Sequence, residues 1–408
     1  MTHDPSTRGH AGEAGSRGPR VRSDCWIRFE PAEKGGLEIE LKSTAEAYYG
    51  ESIDALLREG CAALGAEHGA LLCEDGGAVP FVLMARLEAA IREAGLETKG
   101  DWLPPIHDPA RGATRRDRFR RSRLYLPGSQ PKLFLNAGLH RPDAIILDLE
   151  DSVAPAAKLA SRILVRNALR QVDFMGAERM VRINQGELGL SDLEQIAPHG
   201  VDLILIPKVE SAGEVQAVDG RIRELSADEV FLMPIIESAR GVANATEIAG
   251  ASDRNVALTI GLEDYTADIG VQRTESGEES LWARCAIVNA ARAFGLQAID
   301  SVYSDVGNVE GLRASVDEAR RLGFEGKGCI HPRQIGVVHA ALAPAANEVD
   351  RARRIVRAFR KAEARGLGVV SLGTRMIDPP VVKRALATVD MAIATGRLAG
   401  DWESADEE

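Results

Sequence analysis

Charged residues stand at the ends of a series of short apolar runs in the second half of the chain. They include Asp148, Glu150, Asp151, Arg182, Lys208, Glu237, Asp264, Asp300 and His331. A single acidic residue in such a place is ordinarily a helix cap, but charged residues after nearly every run are not explained by capping. Carboxylates that crowd together must share cations or take up protons. Mg²⁺ suits this set because it binds one or two protein carboxylates beside water and substrate oxygens, whereas the scarcity of His and Cys argues against zinc.

The apolar runs indicate which element would bring these residues together. Eight runs are found, at Leu124–Leu126, Ala144–Leu147, Met180–Ile183, Leu203–Ile206, Phe231–Ile236, Val256–Ile260, Ala298–Ile299 and Gly328–Ile330. Most are separated by stretches long enough for a helix, which predicts an α/β fold of the (β/α)₈ barrel type. The active site of such a barrel forms at the carboxyl ends of the strands. A doubly wound open sheet is the competing fold, but no GxGxxG motif follows the first run.

Composition and charge narrow the possible partners and location. The 408 residues allow two or three domains, and 45% of them are hydrophobic. The formal net charge of −11 argues against nucleic acid or an anionic membrane as the main partner. No apolar run approaches the roughly 20 residues that span a bilayer, and the amino terminus lacks the apolar core of a signal peptide. We therefore expect a cytoplasmic protein.

The first hundred residues have a different pattern from the barrel region. Residues 1–22 offer almost nothing to bury and are expected to form a disordered tail. Strand-like and helix-like segments over 23–98 predict a small α+β domain. Residues 99–118, rich in Pro, Arg and Asp, are expected to be a linker.

A series of motifs over about 119–397 resembles the citrate lyase β-subunit family, part of the HpcH/HpaI aldolase superfamily. The motifs are Arg121–Gly128, Asp148–Pro155 with Lys158, Val181–Asn184, Pro207–Ser211, Glu237–Gly241, Gly261–Asp264, Gly323–Lys327, Ile330–Pro332 and Met376–Pro380. Each motif alone is weak, but their order along the chain makes the resemblance specific. It implies a barrel over 119–345 and a C-terminal helical lid over 346–400. Residues 401–408 are expected to form an acidic tail.

The resemblance also implies residue roles. Glu237 and Asp264 match the Mg²⁺ ligands, and Arg182 matches the arginine that binds substrate and stabilises the developing enolate. Arg121 matches a second anion-binding position at the mouth. Asp378 matches an acid/base residue on the lid, which in relatives reaches into the neighbouring subunit's site, so a homo-oligomer such as a trimer is expected. Without the resemblance, Asp378 would be interpreted as a turn residue.

Four further residues are expected to contact the substrate or coenzyme A. Lys327 belongs to the segment that receives the thioester carrier. Glu150, Asp151 and Lys158 form a second group. For Glu150 and Asp151, a structural role and a catalytic one remain open.

The N-terminal domain resembles the acyl-carrier γ-subunit of citrate lyase over about 21–95, most specifically in Leu83–Ala89. In that family a serine within Glu-Ser-(Gly/Ser)-Asp carries a phosphoribosyl-dephospho-CoA arm. The corresponding window here is Val21-Arg22-Ser23-Asp24, in which Arg22 occupies the usual serine position and the Glu is missing. Either Ser23 carries the arm, or the domain is kept for assembly and the barrel uses free CoA thioesters.

Together these features predict an Mg²⁺-dependent carbon–carbon lyase that cleaves a β-hydroxyacyl thioester of the citryl, malyl or citramalyl type. The alternatives are a synthase working in the condensing direction, a class II pyruvate-type aldolase without CoA, and a carrier or scaffold subunit with little activity of its own. A separate transferase subunit is a possible partner.

Overall fold

The computed structural model describes residues 10–107, 114–364, 370–372 and 375–403. The chain divides into two compact units, Met1–Ile335 and Gly336–Glu408.

A small α+β domain opens the first unit. Its strands and helices are β1 (Gly12–Gly15), β2 (Cys25–Pro31), β3 (Leu37–Ser43), α1 (Glu46–Leu64), β4 (Gly69–Asp75) and α2 (Pro80–Glu93). The sheet order is β1-β2-β4-β3, with β3 parallel to β4 and the other pairs antiparallel. The prediction of a disordered tail over 1–22 is wrong for β1, which pairs with β2. Its Gly12 lies so close to α2 that a Cβ there would stand 2.1 Å from the Ala90 carbonyl oxygen.

The barrel follows, and it confirms the predicted fold. Its strands are β5 (Ser122–Pro127), β6 (Ala144–Asp148), β7 (Glu178–Arg182), β8 (Leu203–Ile206), β9 (Phe231–Ile236), β10 (Ala257–Ile260), β11 (Gln297–Asp300) and β12 (Gly326–Cys329). All neighbouring strands are parallel, and β12 pairs with β5 to close the barrel. Each of the eight predicted runs overlaps one strand. Side chains fill the barrel interior with an apolar cluster that includes Ile146, Met180, Leu205, Met233 and Ile299.

Helices surround the barrel and connect its strands. They are α3 (Lys158–Gln171), α4 (Gly186–Ile196), α5 (Ala212–Glu224), α6 (Ala239–Ala243), α7 (Ala245–Ala249), α8 (Leu262–Asp268), α9 (Leu281–Ala293) and α10 (Val309–Leu322). Helix α11 (Arg333–Leu342) contains the boundary between the two units. Most of these helices are amphipathic, and their apolar side chains pack against the strands, as a barrel requires.

The N-terminal domain is attached to the outside of the barrel by α2. Eleven of the fourteen residues of α2 are buried, because the helix packs against the domain's own sheet and also against α3. Glu88 of α2 and Arg166 of α3 form an ion pair with Nη2–Oε2 2.7 Å, and both side chains are fully buried. The second Glu88 oxygen accepts a hydrogen bond from Arg92, and the Trp102 backbone N–H also donates to this carboxylate. The two domains therefore share one interface with a fixed polar contact at its centre.

The segment predicted to be a linker is held on the protein surface over its described part. Trp102 is buried and packs against Gly60 of α1. Arg170 donates to the Pro104 carbonyl, and Arg118 donates to the carbonyl of Asp143. Residues 108–113 lie outside the described residues. The described residues on either side of them are thus bonded to the barrel.

The second unit contains two helices and a hairpin. They are α12 (Ala346–Glu363), β13 (Val370–Leu372), β14 (Arg375–Ile377) and α13 (Pro379–Ala394), with β13 antiparallel to β14. Its core includes Ile355, Val356, Val389 and Trp402. Within the described part of the chain, no helix is both long and apolar enough to cross a membrane.

Candidate active site

A pocket of about 480 Å³ opens at the carboxyl ends of the barrel strands. It is lined by charged groups from several strands, above a floor of mostly apolar side chains. The lining residues used below are Arg123, Tyr125, Asp148, Asp151, Arg182, Ile235, Glu237, Thr259, Gly261 and Asp264. The charged residues that follow successive apolar runs in the sequence are therefore brought to one place by the barrel.

Glu237 and Asp264 form a carboxylate pair at this pocket. Glu237 follows the last residue of β9 and is 6% exposed, whereas Asp264 lies in the first turn of α8 and is half exposed. Burial, together with a side-chain hydrogen bond and repulsion from Asp264, raises the pKa of Glu237 to about 8 from its ordinary 4.5. Two carboxyl groups that share a proton in this way are arranged as they would be to share a cation.

Gly261 permits the ends of strands β9 and β10 to approach each other. A Cβ at Gly261, which follows β10, would lie 2.3 Å from Glu237 Oε2. Any larger residue would displace the carboxylate, since contacts this short do not occur between real atoms. Gly261 therefore belongs to the site because of the space it leaves.

Arg182, at the end of β7, is held by two carboxylates. Its Nε and Nη2 donate to the two oxygens of Asp148 at 2.7 and 2.8 Å, and Nη1 lies 2.9 Å from Glu150 Oε2. The guanidinium also stands over the ring of Tyr125, 5.5 Å from its centroid. Burial alone would lower the pKa of Arg182, but the bond to Asp148 raises it well above its ordinary value. The arginine is thus a fixed positive charge facing the Glu237 pocket.

Lys208 connects the two acidic groups of the site. Its Nζ lies 3.2 Å from Glu150, 3.4 Å from Asp151 and 3.9 Å from Asp264. Its backbone N–H donates to Glu237 Oε1 at 3.1 Å, and its φ of 50° is left-handed, which is uncommon for a residue other than glycine. Such strain persists where the surroundings enforce it, commonly at functional sites. The sequence analysis named Lys208 as the charged residue after the fourth apolar run but assigned it no role in the site.

Lys158 stabilises the loop that carries Glu150 and Asp151. Its Nζ donates to the backbone carbonyls of Leu149 and Glu150 at 2.7 and 2.6 Å. Glu150 is buried against Arg182 and Lys208, whereas Asp151 is more than half exposed and lines the pocket. Asp151 is therefore placed to meet a ligand, and Lys158 and Glu150 are placed to support the loop.

The prediction that Arg121 lies at the mouth is wrong. Arg121 immediately precedes β5, at the amino end of the strand, and its Nε and Nη2 bond to both oxygens of Asp143 at 2.8 Å. The amino ends of parallel barrel strands lie opposite the active-site face. The arginine of this strand that lines the pocket is Arg123, two residues on, where the side chain points to the same face of the strand. The sequence signal for Arg123 was a charged residue within an otherwise apolar strand.

Lys327 lies outside this pocket. It is 1% exposed, and its Nζ bonds to Asp300 at 2.7 Å beside Arg284. Burial lowers the pKa of Lys327, although Asp300 opposes the change. It lines a neighbouring pocket of about 550 Å³, which shares Leu262 and Glu263 with the first. Its charge is compensated within the protein, so the structure favours a structural role over contact with a thioester.

Asp378 belongs to the second unit. It is the N-cap of α13, and its side chain accepts a hydrogen bond from the Val381 backbone N–H at 3.2 Å. The two prolines that follow suit the first turn of a helix. An N-cap role accounts for this aspartate within its own unit, and its catalytic role stays a prediction.

Ser23 lies in a turn before β2 and is partly exposed, with a left-handed φ of 57°. The next residue, Asp24, forms a buried ion pair with Arg86 of α2, with Nε–Oδ1 2.9 Å. Arg86 also donates to the carbonyl of Ser129, in the loop after β5, at 3.0 Å. Ser23 is thereby connected to a loop on the active-site side of the barrel.

Fold and site together define a class of protein: a (β/α)₈ barrel enzyme with an acidic centre beside a fixed arginine. The hard oxygen donors of Glu237 and Asp264 fit Mg²⁺, and two carboxyl groups this close favour a shared cation.

Comparison with known proteins identifies the family. Residues 121–332 match the HpcH/HpaI aldolase/citrate lyase family, to which the chain belongs. Residues 10–94 match an acyl-carrier family described as malonate decarboxylase delta subunit (MdcD). Both parts of the predicted resemblance are thus confirmed.

The relatives include a citrate lyase subunit and a malyl-CoA lyase. Citrate lyase subunit beta of Haemophilus influenzae is 40% identical over 283 residues, covering 67% of this chain and 97% of that protein. L-malyl-CoA/beta-methylmalyl-CoA lyase of Cereibacter sphaeroides is 34% identical, covering 67% and 95%. The structure of CitE from Mycobacterium tuberculosis in complex with magnesium, acetoacetate and coenzyme A is similar, with 33% identity, a TM-score of 0.58, and coverage of 68% of this chain and 99% of that one.

Proposed function

We propose that the protein is an Mg²⁺-dependent carbon–carbon lyase that cleaves a β-hydroxyacyl thioester into an acetyl thioester and a 2-oxo acid. The observation that supports this most directly is the carboxylate pair of buried Glu237 and half-exposed Asp264, placed beside an arginine that two further carboxylates hold in position. The citrate lyase and malyl-CoA lyase relatives, and the magnesium and coenzyme A in the CitE structure, support the same reaction.

Glu237 and Asp264 are the residues that would hold the metal ion. A divalent cation bound there would acidify the substrate hydroxyl and polarise the carbonyl of the 2-oxo acid that is released. Lys208 fixes the Glu237 carboxylate through its backbone N–H and balances the remaining negative charge of Asp151 and Asp264.

Arg182 has the role of stabilising the thioester enolate. Breaking the carbon–carbon bond leaves negative charge on the acetyl thioester fragment, and a pre-positioned cation stabilises it without reorganisation. Asp148 and Glu150 supply that positioning, since they bond three guanidinium nitrogens. We propose Asp378 as the group that delivers a proton to the enolate α-carbon, from the lid of a neighbouring subunit in a homo-oligomer.

The N-terminal domain has the role of an acyl carrier in this proposal. Ser23 is the candidate attachment residue for a phosphoribosyl-dephospho-CoA arm, loaded by a separate transferase subunit. The alternative is that the barrel takes free CoA thioesters and the domain serves assembly. The cytoplasmic location and the number of subunits stay predictions.

The test is acetyl-CoA release from citryl-CoA, malyl-CoA and citramalyl-CoA, each incubated with the full chain and Mg²⁺. We expect cleavage of at least one, abolished by EDTA and lowered about 100-fold or more in Glu237→Gln and Asp264→Asn, because each variant loses a cation ligand. Arg58→Met, at an exposed site on α1, is the matched control. If a folded protein that binds Mg²⁺ cleaves none of the three, the lyase proposal is wrong and a carrier or scaffold role takes its place.

A further inference from the structure

Arg123 is a buried charge without a counterion. It is 1% exposed and extends from β5 across the barrel interior, where Nη2 donates to Thr259 Oγ1 and Nη1 contacts Met233 Sδ, both at 3.0 Å. Its Nε has no hydrogen-bond partner among the described residues. A hydroxyl and a thioether are weak, neutral partners for a guanidinium.

Other buried arginines of the chain are compensated by carboxylates. The pairs are Arg120–Glu178, Arg166–Glu88, Arg179–Asp202 and Arg284–Asp300. For Arg123 no ion pair is found within the described ranges, and burial lowers its pKa. A buried cation left unpaired destabilises the fold, so its retention needs another explanation.

The position of Arg123 in the active-site pocket explains why this unpaired charge is retained. It lines the active-site pocket together with Tyr125, Ile235 and Thr259. Ile235 and Thr259 each lie two residues before a residue of the site, Glu237 and Gly261, which is about 7 Å of strand rise. The guanidinium therefore lies beneath the carboxylate pair, on the floor of the pocket.

We propose that Arg123 determines specificity by binding a second carboxylate on the 2-oxo acid half of the substrate. This inference rests on the proposed function and narrows it. The three candidate thioesters share a hydroxyl and a carboxylate on the carbon that is cleaved, and they differ in the remaining substituent: hydrogen in malyl, methyl in citramalyl and carboxymethyl in citryl. Since the shared hydroxyl and carboxylate would face the cation held by Glu237 and Asp264, only the carboxymethyl group offers Arg123 a second carboxylate as counterion.

The carboxymethyl group extends two carbon–carbon bonds of about 1.5 Å beyond the carbon that is cleaved, and a charge-assisted hydrogen bond of about 2.8 Å would carry that reach toward the floor of the pocket. The chain is thus assigned to thioesters that release a four-carbon 2-oxo dicarboxylate.

The experiment compares Arg123→Met with the wild type and with the Arg58→Met control. Methionine has a similar length and removes the charge. We expect the ratio of kcat/KM for citryl-CoA to kcat/KM for citramalyl-CoA to fall by about 100-fold or more, because a site built to bond a charged group discriminates strongly against its absence. Arg123→Lys keeps the charge and is expected to retain part of the preference.

Two further measurements separate failure of this inference from failure of the lyase proposal. Calorimetric titration with Mg²⁺ and either oxaloacetate or pyruvate needs no turnover, and Arg123→Met should weaken the binding of oxaloacetate more than that of pyruvate. The melting temperature of the ligand-free variant should stay equal or rise, since an uncompensated buried charge is removed. A clear fall in melting temperature in both Arg123→Met and Arg123→Lys, with no change in the preference for oxaloacetate over pyruvate, would make Arg123 a structural residue.

A wild type that cleaves the thioesters, with the citryl preference intact in Arg123→Met, would overturn the specificity role and leave the lyase proposal standing. A wild type that cleaves none of the thioesters, but loses affinity for oxaloacetate in Arg123→Met, would overturn the lyase proposal and leave the binding role of Arg123 standing.

Discussion

Glu237 combines burial with a neighbouring carboxyl group, and this combination gives the ligand-free protein a pH-dependent stability. Its pKa is about 8 in the folded state against an ordinary 4.5, so the folded state binds more protons between these values. Stability then falls as pH rises, since it increases with pH only where the unfolded state binds more protons. The contribution of this group is fully present below pH 4.5 and is lost as pH approaches about 8.

We therefore expect metal-free wild type to lose stability between pH 5 and about 8 relative to Glu237→Gln, which cannot ionise. Urea unfolding in the presence of EDTA at several pH values measures the difference. Mg²⁺ should remove the difference by displacing the proton. Parallel pH profiles for the two proteins would contradict the interpretation of the carboxylate pair.

Even a conservative replacement of Arg182 is expected to impair catalysis. Lysine keeps the charge but cannot bond Asp148 through two nitrogens while also reaching Glu150, as the planar guanidinium does. We expect Arg182→Lys to lower kcat by about 100-fold or more, in line with the loss of an oriented charge-stabilising group. Steady-state kinetics checks this, and a change confined to KM would indicate that Arg182 only binds the substrate.

The residues of the site were predictable to the extent that strand ends are visible in the sequence. Glu237, Asp264 and Asp151 follow apolar runs and Arg182 lies near the end of one, and the barrel brings all four to one pocket. Arg121 was misplaced because sequence patterns leave strand boundaries uncertain. Strand β5 begins after Arg121, so this residue lies at the amino end of the strand and not at the active-site end.

At the scale of elements, the α2–α3 interface makes a specific prediction. Replacing Glu88 with alanine removes both charged hydrogen bonds to the buried Arg166 and leaves Asp101, partly exposed and 3.3 Å away, as its remaining acidic partner. Removing one member of a buried ion pair ordinarily costs about 3–5 kcal/mol. Unfolding of Glu88→Ala by urea should show that loss or an early, separate transition of the N-terminal domain. The matched control is Glu67→Ala, whose partner Lys99 is exposed, and a similar effect in both would contradict a special role for the buried pair.

The elements also show where local sequence is informative. The eight barrel strands are buried on both faces and consequently form apolar runs that are easy to detect. Strand β1 has the sequence Gly-Glu-Ala-Gly, without a β-branched or aromatic residue. It is a strand because β2 pairs with it and α2 packs over it, and these long-range contacts leave no local signal.

At the scale of the whole molecule, the modification of Ser23 decides whether the barrel receives its thioester from the N-terminal domain or as a free CoA thioester. Intact-mass spectrometry of protein from its native host should show a mass excess that fits a dephospho-CoA-derived arm, absent in Ser23→Ala. The partly exposed turn and its connection to the Ser129 loop through Asp24 and Arg86 place the residue suitably for this. An unmodified mass would direct attention to free CoA thioesters.

The buried Glu88–Arg166 contact also has a consequence for stoichiometry. A carrier made as a separate polypeptide meets its lyase at a frequency set by the abundance of both, and an excess of either is idle. Here the two domains are synthesised together and joined by an ion pair that water does not reach. Each barrel consequently has one carrier-like domain in a constant orientation, at any level of expression, and any arm attached to it would have to cover the distance to the pocket by its own length.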